Sequence, residues 1–246
     1  MKTLNSLTLL LPFIALFLGS CASLEQEPWE NFKQGTTMAG ASTGWAVYEA
    51  KLDTAVVSGP FTGAADTATT DLAPNYGLAL KAHHFVTDNL ALGAIFEYRS
   101  FDPDPVTPIP AIGSTLTAGD FETYHYIASS RYYFPAFSAS KRWKPYAGLD
   151  LAYIPEVNLG SVAIDYHGAA PNQSVNVKGN EYWTLGLVLG ATYLLSDNMT
   201  LDLGAFYEHP LTTSDASVNM SNAGTVANVE VSPRGLIGFV GFSYSF

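Results

Sequence analysis

Ionisable side chains recur at alternate positions in several extended stretches of the sequence, which would place them on one face of a strand. The acids and bases on that face are Glu49, Lys51, Lys81, Glu97, Arg99, Arg131, Asp150, Asp202 and Glu208, with His83 and His125 beside them. Carboxylates near cations can form ion pairs, line an ion path or exchange protons in a reaction. Because an unpaired buried charge costs several kcal/mol, we interpret the set as an interior ladder of ion pairs.

The height of each residue along its strand predicts the partners within this ladder. The predicted groupings are Arg131 with Asp202 at one end, Lys81 with Glu49 or Asp150 at mid-depth, and Arg99 with Glu97 and Glu208 at the other end. We expect no metal site and no cofactor, since His83 and His84 point to opposite faces of a strand and the sequence has a single cysteine.

Eight segments with the alternation of β-strands must position these residues. Their bounds are 44–52, 75–85, 90–101, 120–134, 143–154, 181–194, 199–209 and 235–246. In the sixth segment the odd-numbered residues from Trp183 to Tyr193 are mostly large and apolar, whereas the even-numbered residues are mostly small or polar. Each segment is near or above the about nine to eleven residues that a tilted membrane strand needs.

The connections between these segments predict the topology. Links at 86–89, 135–142 and 195–198 are short, and they alternate with long links that include 53–74, 102–119, 156–180 and 210–234. Two of the long links carry hairpin patterns around APNQ and SNAG. Short turns on one side and long loops on the other are typical of outer-membrane barrels. We therefore predict an all-β fold, an eight-stranded antiparallel transmembrane β-barrel with short periplasmic turns and four long extracellular loops.

Outward-facing aromatic residues gather near both ends of the predicted strands. The outer girdle comprises Tyr76, Tyr98, Tyr124, Tyr153, Trp183 and Tyr207, and the periplasmic girdle comprises Tyr132, Phe134, Tyr193, Tyr244 and Phe246. Ten residues separate Trp183 from Tyr193, which corresponds to roughly 25 Å of membrane height in a tilted strand. Eight strands leave a lumen that side chains only just fill, so we do not expect a wide water channel.

The N-terminus has the pattern of an export signal. A positive Lys2 precedes an apolar run at 7–18, and Cys21 follows the small residues Gly19 and Ser20. This arrangement resembles a lipobox, so we predict a signal peptide at 1–20, lipidation of Cys21 and a periplasmic linker at 21–43, with the barrel at 44–246. The alternative is an ordinary signal peptide that is cut after Ala22.

Three motifs carry a family resemblance: VYEAKL at 47–52, WKPYAGLDLAY at 143–153 and GFSYSF at 241–246. With them the chain resembles the small eight-stranded outer-membrane barrels typified by the transmembrane domain of outer membrane protein A and the opacity-type barrels. The resemblance implies the outer membrane of a Gram-negative-type bacterium, contact with its lipid, and recognition of Phe246 by the barrel-assembly machinery. The sequence departs from that family in its lipobox and in having no peptidoglycan-binding domain after Phe246.

Composition and loops limit the functions to be considered. The net charge is −11 and charged residues are 13% of the chain, which excludes nucleic acid as a partner. The four long loops carry nine acids and only Lys178 and Arg234 as bases. We expect a monomeric, non-enzymatic barrel that displays acidic loops to an extracellular ligand or serves envelope structure. The alternatives are a narrow channel for small solutes and, with less support, a lipid A-modifying enzyme that uses His209 with Thr212, Ser214 and Asp215.

Overall fold

The computed structural model describes residues 29–107, 115–118, 121–136, 141–167 and 170–246. Its strands are β1 (Thr37–Ser58), β2 (Ala65–Phe85), β3 (Leu90–Pro103), β4 (Thr115–Ala118), β5 (Phe121–Tyr133), β6 (Trp143–Ile154), β7 (Val157–Asp165), β8 (Gln173–Gly179), β9 (Tyr182–Ser196), β10 (Met199–Pro210), β11 (Ser214–Met220) and β12 (Thr225–Ser245). In the described part of the chain, no helix is long and apolar enough to span a membrane. The predicted signal peptide and Cys21 lie outside the described residues.

Eight of the strands form a closed antiparallel ring. Their order is β1-β2-β3-β5-β6-β9-β10-β12, and β12 pairs with β1 to close the wall. The short turns at 86–89 and 195–198 join consecutive strands at one end of this ring, as the sequence predicts. Because the ring is closed, the backbone N–H and C=O groups of every strand can form hydrogen bonds within the sheet. A wall that is surrounded by lipid needs this, since lipid offers these groups no partner. The predicted eight-stranded antiparallel barrel is confirmed.

We call the end of the ring that carries the short turns the lower end. From there to about the middle of the strands, the wall is apolar outside and polar inside. On β9, Leu187 is 59% exposed on the outer face, whereas its neighbour Val188 is 1% exposed and faces the lumen. Aromatic residues with outward orientation lie at both ends of this band, as predicted. They are Tyr98, Tyr124, Tyr153, Trp183 and Tyr207 at the upper end and Tyr132, Phe134, Tyr193, Tyr244 and Phe246 at the lower end. The side chain of Tyr76 lies outside the described residues.

Above this band the two faces of the wall exchange their polarity. On the outer face of β1, Val47 is 75% exposed, and the next outward residue is the charged Glu49. On the inner face, Tyr48 contacts buried charges, whereas Ala50 and Val56 above it pack in an apolar core. An apolar outer face suits lipid and a polar outer face suits water. The exchange therefore marks the outer boundary of the membrane.

The long links continue the barrel above this boundary. Residues 53–74 are mostly strand, with the link between β1 and β2 at 59–64. The two hairpins predicted from the sequence are present as β7–β8 and β11–β12, and β8, β11 and β12 pair side by side. The four long links therefore contain strands of their own. These segments form an upper sheet with its own apolar interior.

The first strand also extends below its predicted start. β1 begins at Thr37 and pairs with β2 and β12 from there on, so residues 37–43 belong to the wall. Residues 29–36, also assigned to the linker from the sequence, pack across the lower mouth of the barrel. The prediction of a linker at 21–43 is therefore wrong for residues 29–43. Residues 37–43 belong to β1, and the rings of Trp29 and Phe32 are buried against the barrel.

A charge on the lipid face should be costly only at membrane depth. We expect Leu187→Arg to destabilise the barrel by roughly 2–4 kcal/mol, because Leu187 lies between the two aromatic girdles. Ser217→Arg, exposed on the outer face of the upper sheet, should cost less than about 0.5 kcal/mol. Urea unfolding in lipid vesicles, read by the heat-modifiable gel shift, measures both. Equal costs would contradict the boundary placed here.

Candidate functional site

The lumen just below the membrane boundary holds a cluster of buried charges. Arg99 forms ion pairs with Glu97, at 2.7 Å, and with Glu208 on the opposite side of the lumen. The hydroxyls of Tyr48 and Thr184 also donate hydrogen bonds to Glu208. The side chains of Arg99 and Glu208 are 4% and 3% exposed. Arg99, Glu97 and Glu208 are thus in contact, as predicted for the upper end of the ladder. Their side chains fill the lumen at this height.

Two further ion pairs lie deeper in the lumen. Arg131 donates two hydrogen bonds to Asp150, at 2.6 and 2.9 Å, in the bidentate geometry that strengthens such pairs. Lys81 pairs with Asp202, which also accepts hydrogen bonds from Thr192 and Ser243 at 2.8 Å. The predicted grouping of Arg131 with Asp202, and of Lys81 with Glu49 or Asp150, is therefore wrong. The partners are exchanged between the two pairs.

The spacing of the strands explains this exchange. Arg131 on β5 lies opposite Gly148 on the neighbouring β6, where a Cβ atom would come within 2.8 Å of the Arg131 side chain. The glycine leaves space for the guanidinium to lie along β6 and reach Asp150, two residues away. The predicted partners were chosen by the height of each residue along its strand, which does not take this space into account.

Two members of the predicted ladder lie outside the barrel. Glu49 forms an ion pair with Arg234, and Lys51 pairs with Asp53 at 2.6 Å, all on the outer face above the lipid. Hydrogen bonds from Lys51 and Thr67 lower the pKa of Asp53. The prediction that Glu49 and Lys51 face the lumen is wrong because β1 leaves the membrane between Val47 and Glu49, where charge becomes tolerable outside.

The two buried histidines lie between these groups. His83 bonds to Ser129 at 2.9 Å, and His125 bonds to Thr123 at 2.9 Å and lies 3.7 Å from Glu208. A luminal cavity of about 50 Å³ lies between the Arg99 cluster and the lower mouth. Aromatic side chains at that mouth, including Tyr133 and Tyr146, close it from below.

The upper sheet encloses a second cavity of a different character. It measures about 70 Å³, and apart from Thr70 and Asp104 its lining is apolar. Lining residues from different strands include Leu72, Leu116, Val162, Val177, Val218, Val229 and Val231. We call this cavity the outer chamber. The Arg99 cluster lies between the outer chamber and the luminal cavity. The outer chamber is not predictable from the sequence pattern, because most of its lining comes from segments interpreted as loops.

The wall is irregular where the outer chamber meets the membrane. The ladder between β1 and β2 shifts its register between Gly44 and Tyr48, and the ladder between β2 and β3 is irregular at the same height. A pocket of about 20 Å³ there is lined both by Trp45, which faces the lipid, and by Arg99, which faces the lumen. The ladder between β1 and β2 is interrupted at this level.

His209 and Ser214 lie on opposite faces of the wall. His209 is exposed on the outer face, while Ser214 is buried and donates a hydrogen bond to the carbonyl of Asn180 at 2.7 Å. Thr212 accepts a hydrogen bond from the backbone of Trp183 at 2.9 Å. Within the residues that the structure describes, no group of three or more His, Cys, Asp or Glu could hold a metal ion.

A closed ring of eight antiparallel strands with a lipid-facing belt is the fold of the small outer-membrane β-barrels, and the chain is an outer-membrane protein. No protein-family model and no curated protein matches the sequence. The structure is similar to that of outer membrane protein OprG from Pseudomonas aeruginosa, with 16% identity, a TM-score of 0.61, and coverage of 90% of this chain and 99% of that one. It is also similar to outer membrane protein AlkL, with 16% identity, a TM-score of 0.52, and coverage of 93% and 97%.

A double-mutant cycle should recover the ion pairs seen here. Arg131→Met or Asp150→Leu alone should each cost about 3–5 kcal/mol, because each leaves a buried charge unpaired. The double variant should recover much of that loss, and urea unfolding gives the coupling energy. The matched cycle of Arg131→Met with Asp202→Leu should show a coupling well below about 1 kcal/mol. A larger coupling in the second cycle would contradict the exchange of partners.

Proposed function

We propose that this protein is a non-enzymatic outer-membrane barrel that captures small apolar solutes in its outer chamber. The observation that carries the proposal is the apolar lining of a cavity of about 70 Å³ in the part of the barrel that stands in water. Ligand sites for small molecules are mostly apolar with few polar groups. Thr70 and Asp104 are the polar residues of this lining.

The Arg99 cluster supports a route in which an apolar solute enters the outer chamber but does not pass down the lumen. An apolar solute that moved down would have to separate Arg99 from Glu97 and Glu208, and isolated buried charges are expensive. The interrupted ladder between β1 and β2, beside Trp45, borders lipid. Lateral release into the membrane at this level therefore faces the smaller electrostatic barrier.

The outer faces of the upper strands retain the acidic character expected from the sequence. Asp53, Glu230 and Asp215 are neighbours across β1, β12 and β11. Such a surface repels anions within about a Debye length of ~10 Å, which favours neutral solutes at the chamber. Display of this acidic surface to a cationic or basic partner remains a second role that the same charges support.

An aqueous channel receives less support than solute capture. The lumen is filled by ion pairs at one height and by aromatic rings at another, so a hydrated ion would meet two constrictions. A catalytic role is also less supported, since Ser214 is turned inward and bonded to backbone. We propose that the barrel acts as a monomer, with membrane lipid as its immediate partner.

Binding of an apolar probe in the chamber can be followed by methyl NMR in lipid nanodiscs. Naphthalene should shift the methyl signals of Val162, Val177 and Val229 in a saturable manner, while those of Leu187 report only partition into lipid. Val218→Asn should weaken binding by about tenfold, because it places an amide among apolar side chains. Ser217→Asn, on the outer face of the same strand, is the control and should leave the affinity unchanged. Shifts confined to lipid-facing methyl groups would refute the proposal.

A further inference from the structure

Residues 29–36 cross the lower mouth of the barrel from one side to the other. They lead into β1 at Thr37, yet the indole N–H of Trp29 donates a hydrogen bond of 2.7 Å to the carbonyl of Lys141, just before β6. In a ring of eight strands β6 lies four positions from β1 in either direction, which is the opposite wall. We call residues 29–36 the strap.

Polar contacts hold the strap at three turns of this end. Besides the bond from Trp29 to the carbonyl of Lys141, between β5 and β6, the backbone N–H of Gln34 donates to Asp88 at 3.1 Å in the turn between β2 and β3. The side chain amide of Asn31 donates to the carbonyl of Asp197 and to the side chain of Asn198, each at 3.1 Å. The strap thus connects turns that the barrel itself leaves apart.

The apolar residues of the strap fill the mouth. Trp29 and Phe32 are 4% and 2% exposed, and they pack with Phe85, Tyr133 and Tyr146. The ammonium group of Lys144 lies 5.7 Å from the Trp29 ring centre and 5.9 Å from that of Tyr133, in cation–π geometry. The luminal cavity, which is lined by Tyr133 and Tyr146 and by the charged pairs above them, lies directly beyond these rings.

We propose that the strap is a removable plug that seals the charged luminal cavity against the periplasm. The central residues of the strap, Glu30 to Gln34, add no strand to the closed ring, so the ladders of the wall do not depend on them. Release of Trp29 and Phe32 would open a path for water and small cations to Lys81, Asp202 and their neighbours. This device is independent of the outer chamber and acts at the other end of the molecule.

Thiol labelling of a luminal cysteine tests the plug in the folded protein. Ser42 lines the luminal cavity, and Ser42→Cys in a Cys21→Ser background provides a single thiol. The rate of reaction with methanethiosulfonate ethylammonium is measured on refolded barrel, with urea-unfolded protein giving the unrestricted rate. Trp29→Ala with Phe32→Ala should raise the rate by about tenfold or more, because the closed state loses its apolar contacts.

The matched control removes the same two ring types from the lipid side of the same rim. Trp143→Ala with Phe134→Ala should leave the labelling rate unchanged, since both side chains face outward. If the strap variant does not fold, Asn31→Ala, which removes only two hydrogen bonds, should still raise the rate by about threefold. The same rate in the parent and in every folded strap variant would overturn the proposal, as would equal acceleration by the control pair.

Discussion

Lipid against the outer wall restricts where this chain can place charge, and most of its structure follows from that restriction. At membrane depth the charged side chains must turn inward, where burial forces them into pairs such as Arg131 with Asp150. Above the membrane the restriction ends, and the outer face of the same strand carries Glu49 and Lys51. The interior then becomes apolar because water, not lipid, surrounds it. One continuous sheet thus surrounds a polar interior at membrane depth and an apolar interior above it.

The junction between these two barrels separates two kinds of interior. Arg99 and its carboxylates occupy the full width of the lumen at the junction, so an apolar solute above and a hydrated ion below meet the same obstacle. The outer chamber lies above this obstacle, while the luminal cavity lies below it, toward the mouth that the strap covers. The proposed capture at one end and the proposed closure at the other therefore involve separate cavities of the same wall.

The sequence predicted the strand number, the alternation of short and long links and the two aromatic girdles, because lipid imposes a period-two pattern that is visible in single strands such as β9. It did not predict the orientation of β1, where charged residues at 49 and 51 were assigned to the lumen. That inference assumed that the whole strand lies in lipid, whereas β1 passes through the boundary. The predicted partners of Arg131 and Lys81 were wrong because the space beside Gly148 depends on the register between β5 and β6. The outer chamber was missed because its strands carry weak alternation and turn residues typical of loops.

The ladder between β1 and β12 runs almost the entire length of both strands, from the periplasmic mouth to the tip of the upper sheet. It joins the first and last strands of the described residues, so about 170 to 210 residues lie between paired positions. No stable wall can exist while β12 is still being synthesised, and a partly made chain presents two long unpaired edges. Folding must therefore follow synthesis and transport, and the unfolded chain must be protected from aggregation throughout its passage to the membrane.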